Sequence, residues 1–143
     1  MGGHAAAAIL RIDGASRGNP GPAGCGVVLE DAGGRQEEYT RYLGRATNNA
    51  AEYQALLLGL ERAATLGYRK VEVRSDSELL VRQMTGAYRV KHPGLLTLHR
   101  AVRRLLEAFE QVRFTHVDRE ANAEADRLAN LAIDQGLAAG SRR

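Results

Sequence analysis

The chain has 143 residues, 44% of them hydrophobic and 26% charged, with a formal net charge of +3, figures that suit one soluble globular domain with a single core. The sequence holds no apolar run of about 18 residues, so no transmembrane helix is expected, and its "HAAAAIL" start, with no basic leader, does not read as a signal peptide. The single cysteine, Cys25, excludes an intramolecular disulfide, reads as a small buried hydrophobe and fits a reducing cytoplasm.

The predicted elements follow in chain order. Residues 5–13 read as a strand ending on Asp13, followed by a turn dominated by Gly and Pro, and then by strands over 24–30 and 36–43 joined through "DAGGRQ". The period then changes to that of a helix over 48–67, "NNAAEYQALLLGLERAATLG", with Gly67 as its terminator. A short strand, "KVEVRSD" (70–76), leads into a short helix over 77–85. "GAYRVKHPG" is a loop, a helix covers 95–109, and "QVRFTHV" is a fifth strand. After the loop "DREA", a last helix begins at Asn122 and runs to a flexible tail from about residue 137. The order βββαβααβα predicts an α/β fold, a mixed sheet with helices on its faces, in one domain spanning 1–143.

Four carboxylates stand out in this layout. Asp13 and Asp76 close strand patterns, and strand carboxyl ends are where open α/β sheets build sites; equally, Asp13 opens a turn or Asp76 caps a helix in many proteins. Glu52 heads the apolar stripe of Leu56, Gly59, Leu60 and Ala63, a costly place for an unpaired ion, although Asn49 and Glu52 also have the spacing of a capping box. Asp126 lies in the first turns of the last helix, where an acid favours the helix dipole. Two strand ends and two helix starts over one sheet allow these acids to meet. Clustered carboxylates stay ionised together only with cations, and an all-oxygen set favours Mg²⁺ or Mn²⁺, two of which promote phosphodiester cleavage. Committing four of the 17 acidic residues to metal leaves the 20 basic residues dominating the remaining surface.

The blocks "DGASRGNPGPAG" (13–24), "TNNAAEYQALLLGL" (47–60), "SDSELLVRQMTG" (75–86) and "NAEADRLAN" (122–130) resemble, in order, the four motif blocks of ribonuclease HI in its compact bacterial and archaeal form. The resemblance implies the ribonuclease H-like fold, a five-stranded sheet whose first three strands are antiparallel. It implies an endonuclease that hydrolyses the RNA strand of RNA–DNA hybrids, leaving 5′-phosphate and 3′-hydroxyl ends, and that acts as a monomer. Asp13, Glu52, Asp76 and Asp126 match the metal-binding catalytic set, holding two Mg²⁺ ions with Mn²⁺ as a substitute.

It further implies that Gly14, Ala15, Ser16, Arg17, Asn19, Asn48, Asn49 and Glu78 read the hybrid, and that Thr47 contacts a DNA-strand phosphate. The wide minor groove with its 2′-hydroxyls is the feature read, and the Gly/Pro turn after Asp13 is expected to let backbone approach it. For Asn48 and Asn49, helix capping is the alternative role.

Two departures from the family pattern carry consequences. "GAYRVKHPG" is too short for the basic protrusion of many members, leaving Arg89, Lys91 and His92 as partial substitutes or as a solvated loop. The loop "VDREANAEAD" lacks the usual histidine, so Arg119 or Glu120 is expected to assist product release, Arg119 being preferred as an always-charged fork. His116, on a strand, reads as structural. Two other classes compete with the nuclease reading: a non-catalytic duplex-binding module, disfavoured by four intact acids, and a DNA-junction or transposition nuclease, disfavoured by the "GNPGPAG" and "TNN" blocks.

Overall fold

The structure, a computed structural model, describes residues 7–141. Five strands, β1 (Ala7–Ser16), β2 (Gly21–Asp31), β3 (Gln36–Ala46), β4 (Lys70–Ser75) and β5 (Gln111–His116), form one sheet in the order β3-β2-β1-β4-β5. The pairs β1–β2 and β2–β3 are antiparallel, whereas β1–β4 and β4–β5 are parallel. The helices are α1 (Asn48–Thr65), α2 (Glu78–Met84), α3 (Pro93–Leu106) and α4 (Ala123–Ser141). The predicted order holds throughout.

Alternation along the central strands sends side chains to two layers. Leu10 and Ile12 of β1 and Cys25, Val27 and Leu29 of β2 join Leu56, Leu60 and Ala63 of α1 in the main core. Full burial of each large aliphatic side chain there is worth roughly 1.5–3 kcal/mol. On the other face, Gly26 leaves room for α4: a Cβ on it would lie 2.5 Å from Ala125 O and from Leu128 Cβ. Ala125, Leu128, Ala129, Ala132 and Ile133 of α4 are buried against that face.

Several boundaries differ from expectation. The first strand does not end on Asp13: β1 continues to Ser16, because Gly14, Ala15 and Ser16 pair with Cys25, Gly24 and Ala23. The turn therefore shrinks to residues 17–20, and β2 starts at Gly21, where pairing with Ala46 recruits a stretch whose composition reads as loop. (Residues 5 and 6 of that predicted strand lie outside the described ones.) Pro93 begins α3 rather than preceding it, at the position where its missing N–H costs nothing, and His92 caps the helix through a Gly94 N–H bond to Nδ1 of 3.0 Å. Residues 119–122 form a single 3-10 turn in place of an open loop. The tail expected from about residue 137 is instead helical as far as Ser141; "LAAG" is rich enough in good helix formers to extend α4.

Candidate active site

The ends of β1 and β4 build the centre of the site. Parallel pairing between them stops at Ile12 and Ser75, so Asp13 and Asp76 are the next residues on two adjacent strands. Asp13 lies inside β1, still paired with Gly26 of β2, and is 5% exposed. The β4 strand ends in a turn held by a Ser77 N–H bond to Ser75 Oγ of 3.0 Å, and Ser77, not Asp76, caps α2 by accepting from Leu80 N–H. Asp76 is thereby released from the capping role the sequence allows it.

Glu52 arrives from α1. The cap of that helix is Thr47, whose Oγ1 accepts from Ala50 N–H at 3.1 Å, so the capping-box alternative for Asn49 and Glu52 does not hold. Glu52 sits in the second turn, facing β1, and its Oε1 accepts from Gly14 N–H at 2.9 Å. Gly14 explains how close the helix comes: a Cβ there would lie 2.2 Å from Ala51 C and 2.3 Å from Glu52 N. The glycine after Asp13 makes room for α1 inside the protein.

Asp13, Glu52 and Asp76 each offer a carboxylate oxygen, all within 4.8 Å of one another. Asp126, in the first turn of α4, faces the same centre from the opposite layer, and its charge acts on all three. Burial, then the charges of Glu52 and Asp76, push the Asp13 carboxyl up to about 9. Burial pushes Glu52 up to about 8 against the Gly14 N–H bond, which favours its ionised form. Asp76 is also raised, by burial first, with Arg119 opposing. Crowded, buried carboxylates favour their protonated forms, and a bound cation would favour the ionised ones. The residues fit hard divalent ions: an all-oxygen set, partly buried, on backbone held by α1, β1 and β4.

Arg119, on the 3-10 turn, is exposed and near enough to lower both Glu52 and Asp76. Glu120 turns elsewhere, lining a hollow with Arg11, Glu30 and Gln36. His116 ends β5 exposed rather than packed inside, within electrostatic reach of Asp76 and Glu78. Two residues at the site escaped the sequence reading. Asn122 is 1% exposed and bonds through Nδ2 to Ile12 O at 2.8 Å; an Asn at a helix start reads as a cap and so hides this role. Arg45 joins Asn19, Thr47, Asn49 and His92 around a groove of ≈ 550 Å³; its place just before "TNN" was the available signal.

The rim beside the carboxylates is one linked unit. Ser16 N–H donates to Asn48 Oδ1, and Asn48 N–H donates to Asn19 Oδ1, both at 3.1 Å. These bonds tie the turn after β1 to the start of α1, with Thr47, Asn48 and Asn49 exposed. Ala15 is half-buried in β1. Arg17 reaches α4, with Nη2 2.8 Å from Asp134 Oδ1. Glu78 opens α2 and pairs with Arg82 at 2.8 Å.

The "Reverse transcriptase-like" family model matches residues 11–132. A ribonuclease HI of Halobacterium salinarum is 49% identical over 124 residues, covering 86% of this chain and 62% of its own. The solved RNase H1 of that archaeon superposes with a TM-score of 0.87 at 45% identity, over 90% of this chain and 98% of the other. LC11-RNase H1, isolated from compost and solved in complex with an RNA/DNA hybrid, gives 0.86 at 46% identity, over 91% and 99%. A bifunctional protein of Mycobacterium tuberculosis is 45% identical over 128 residues, 88% of this chain but 35% of its own, so the chain spans about a third of that relative's length. With strand order, carboxylate centre and near-complete coverage of solved relatives in agreement, the chain belongs to the ribonuclease H1 family.

Proposed function

We propose that this protein is a metal-dependent endonuclease that hydrolyses the RNA strand of RNA–DNA hybrids, leaving 5′-phosphate and 3′-hydroxyl ends. The observation that carries the reading is the convergence of Asp13, Glu52 and Asp76, from β1, α1 and the end of β4, with oxygens within 4.8 Å of one another. Asp126 completes the set from α4. These four would hold two Mg²⁺ ions, with Mn²⁺ as a substitute, and bound there the ions supply an activated water and charge stabilisation for the leaving oxygen. The chain's own part is to hold four acids on rigid elements, so that little reorganisation is needed at the moment of reaction.

The linked rim of Gly14, Ala15, Ser16, Asn19, Asn48 and Asn49 lies beside this centre and would follow the hybrid's minor groove, where 2′-hydroxyls distinguish RNA from DNA. Thr47, with Arg45 in the same groove, would take a DNA-strand phosphate, and Arg17 and Glu78 would help to read the hybrid. Arg119 would attract the freed phosphate. The solved complex of LC11-RNase H1 with an RNA/DNA hybrid supports the choice of substrate class. Among the described residues no helix is long and apolar enough to cross a membrane. We further propose a cytoplasmic protein acting as a monomer, a reducing location that the buried free thiol of Cys25 suits. Incubation with labelled hybrid, duplex RNA and duplex DNA under Mg²⁺ and under Mn²⁺ tests the function. Cutting confined to the RNA of the hybrid, and absent in Asp13→Asn, is expected; an uncut hybrid overturns the reading.

A further inference from the structure

The described residues include four buried polar or charged side chains: Asp13, Ser75, Gln83 and Asn122. Gln83 accepts from Tyr53 O–H at 2.6 Å, away from the carboxylates. The other three gather where β1 and β4 part. Ser75 braces the turn that presents Asp76, as described above. Asn122 does the corresponding work for Asp13, by a different route.

We propose that Asn122 is a positioning residue for the carboxylate centre, locking the 3-10 turn and the start of α4 to the backbone beside Asp13. Its Nδ2 donates to Ile12 O at 2.8 Å, and Ile12 is the last β1 residue paired with β4. One side chain thus grips the strand at the point where the sheet opens to form the site. Asn122 is also the last residue of the turn that carries Arg119 and immediately precedes α4, which carries Asp126 four residues on. Its hold on Ile12 therefore sets Arg119 and Asp126 against Asp13 as one unit.

Helix capping does not account for the residue. Its Oδ1 is buried with no hydrogen-bond partner, so it satisfies none of the free N–H groups at the start of α4. A buried, unpaired acceptor destabilises by about 1–3 kcal/mol, a cost that the donor half of the amide must offset and that a simple cap would not incur. No other residue type of similar size delivers an N–H donor on so short a stem: Asp offers only acceptors when ionised, and Ser is too short to span the gap.

The proposal rests on reading the carboxylates as a metal centre, and the test separates the two. Mn²⁺ alone is titrated calorimetrically into the wild type, Asn122→Ala and Gln83→Ala, and steady-state cleavage of a short hybrid is measured alongside. Gln83→Ala is the control for lost stability, since it removes a buried polar contact outside the site. Groups that orient metal ligands typically change metal affinity or activity by 10- to 100-fold. Asn122 acts through backbone, so Asn122→Ala is expected to weaken Mn²⁺ binding at least about threefold and to lower kcat about tenfold, with KM for the hybrid within about twofold. Gln83→Ala should lose comparable thermal stability with Mn²⁺ affinity unchanged. Should Asn122→Ala fail to fold, Asn122→Ser is measured in its place with the same expectation. Mn²⁺ affinity and kcat in the Asn122 variant equal to those of Gln83→Ala would overturn the positioning role. A wild type that binds no Mn²⁺ and leaves the hybrid intact would overturn the metal-centre reading itself.

Discussion

Replacing Asp13 by Asn should abolish cleavage and, in the metal-free protein, raise stability in a pH-dependent way. Burial and the neighbouring carboxylates raise Asp13 from 3.8 to about 9, so the folded protein holds this proton far more tightly than the unfolded chain. The sign follows from linkage: the metal-free fold is favoured below about pH 4, and the advantage is lost as pH climbs through the window towards 9. At pH 7 some three pH units of that window have been crossed, and at 1.36 kcal/mol per unit the ceiling is about 4 kcal/mol. Glu52 and Asp76 titrate with Asp13 and relieve part of this, leaving about 2 kcal/mol as the expected gain on substitution. For a chain of this length that corresponds to a rise in Tm of about 6–8 °C. The assay is thermal unfolding of wild type and Asp13→Asn in chelator at pH 3.5, 5.5, 7 and 8.5. The difference should be near zero at pH 3.5 and grow with pH; adding Mg²⁺ should then raise the wild-type Tm more than that of the variant. An equal difference at every pH, or a variant less stable at pH 8.5, would refute the account of repelling buried carboxylates.

Other expectations bear on the rest of the site. Arg119→Ala should lower turnover severalfold or more with little change in KM, and Glu120→Ala should do less, because only Arg119 faces the acids; steady-state kinetics on a short hybrid decide, and an Arg119→Ala enzyme with unaltered kcat sinks the assignment. Without a basic protrusion, hybrid binding should be weak and salt-sensitive: three cations close to the site (Arg17, Arg45 and Arg119) set a slope of log K against log salt of about −3, and a slope shallower than about −1 in a fluorescence titration contradicts this. Gly14→Ala should destabilise the fold by more than about 3 kcal/mol or prevent folding, since the added Cβ lies 2.2 Å from α1 backbone that cannot swing aside. Chemical denaturation checks it, and a loss below about 1 kcal/mol would show that α1 moves freely.

Local pattern alone determined the order of elements. A two-residue period switches to a helical one at Asn48, the stripe from Glu52 through Ala63 defines the buried face of α1, and Gly67 follows that helix in a left-handed conformation. The four acids were legible because carboxylates on apolar stripes or at strand ends are costly without a partner, and the motif blocks implied that they share one centre. Spacing along the chain, however, holds no distance between elements brought together only by the sheet. Tertiary pairing decided that β1 runs on past Asp13 to Ser16, since β2 supplies hydrogen bonds that no local preference of "GAS" or "GPA" reveals. It also decided the packing of Gly14 against Ala51, 37 residues along the chain, a neighbour that no local pattern names. Asn122 shows the limit most plainly. Nothing around it in sequence names Ile12 as a partner, because that bond spans 110 residues and exists only once β4 has ended, α4 has crossed to the opposite face, and the sheet has opened beside Asp13.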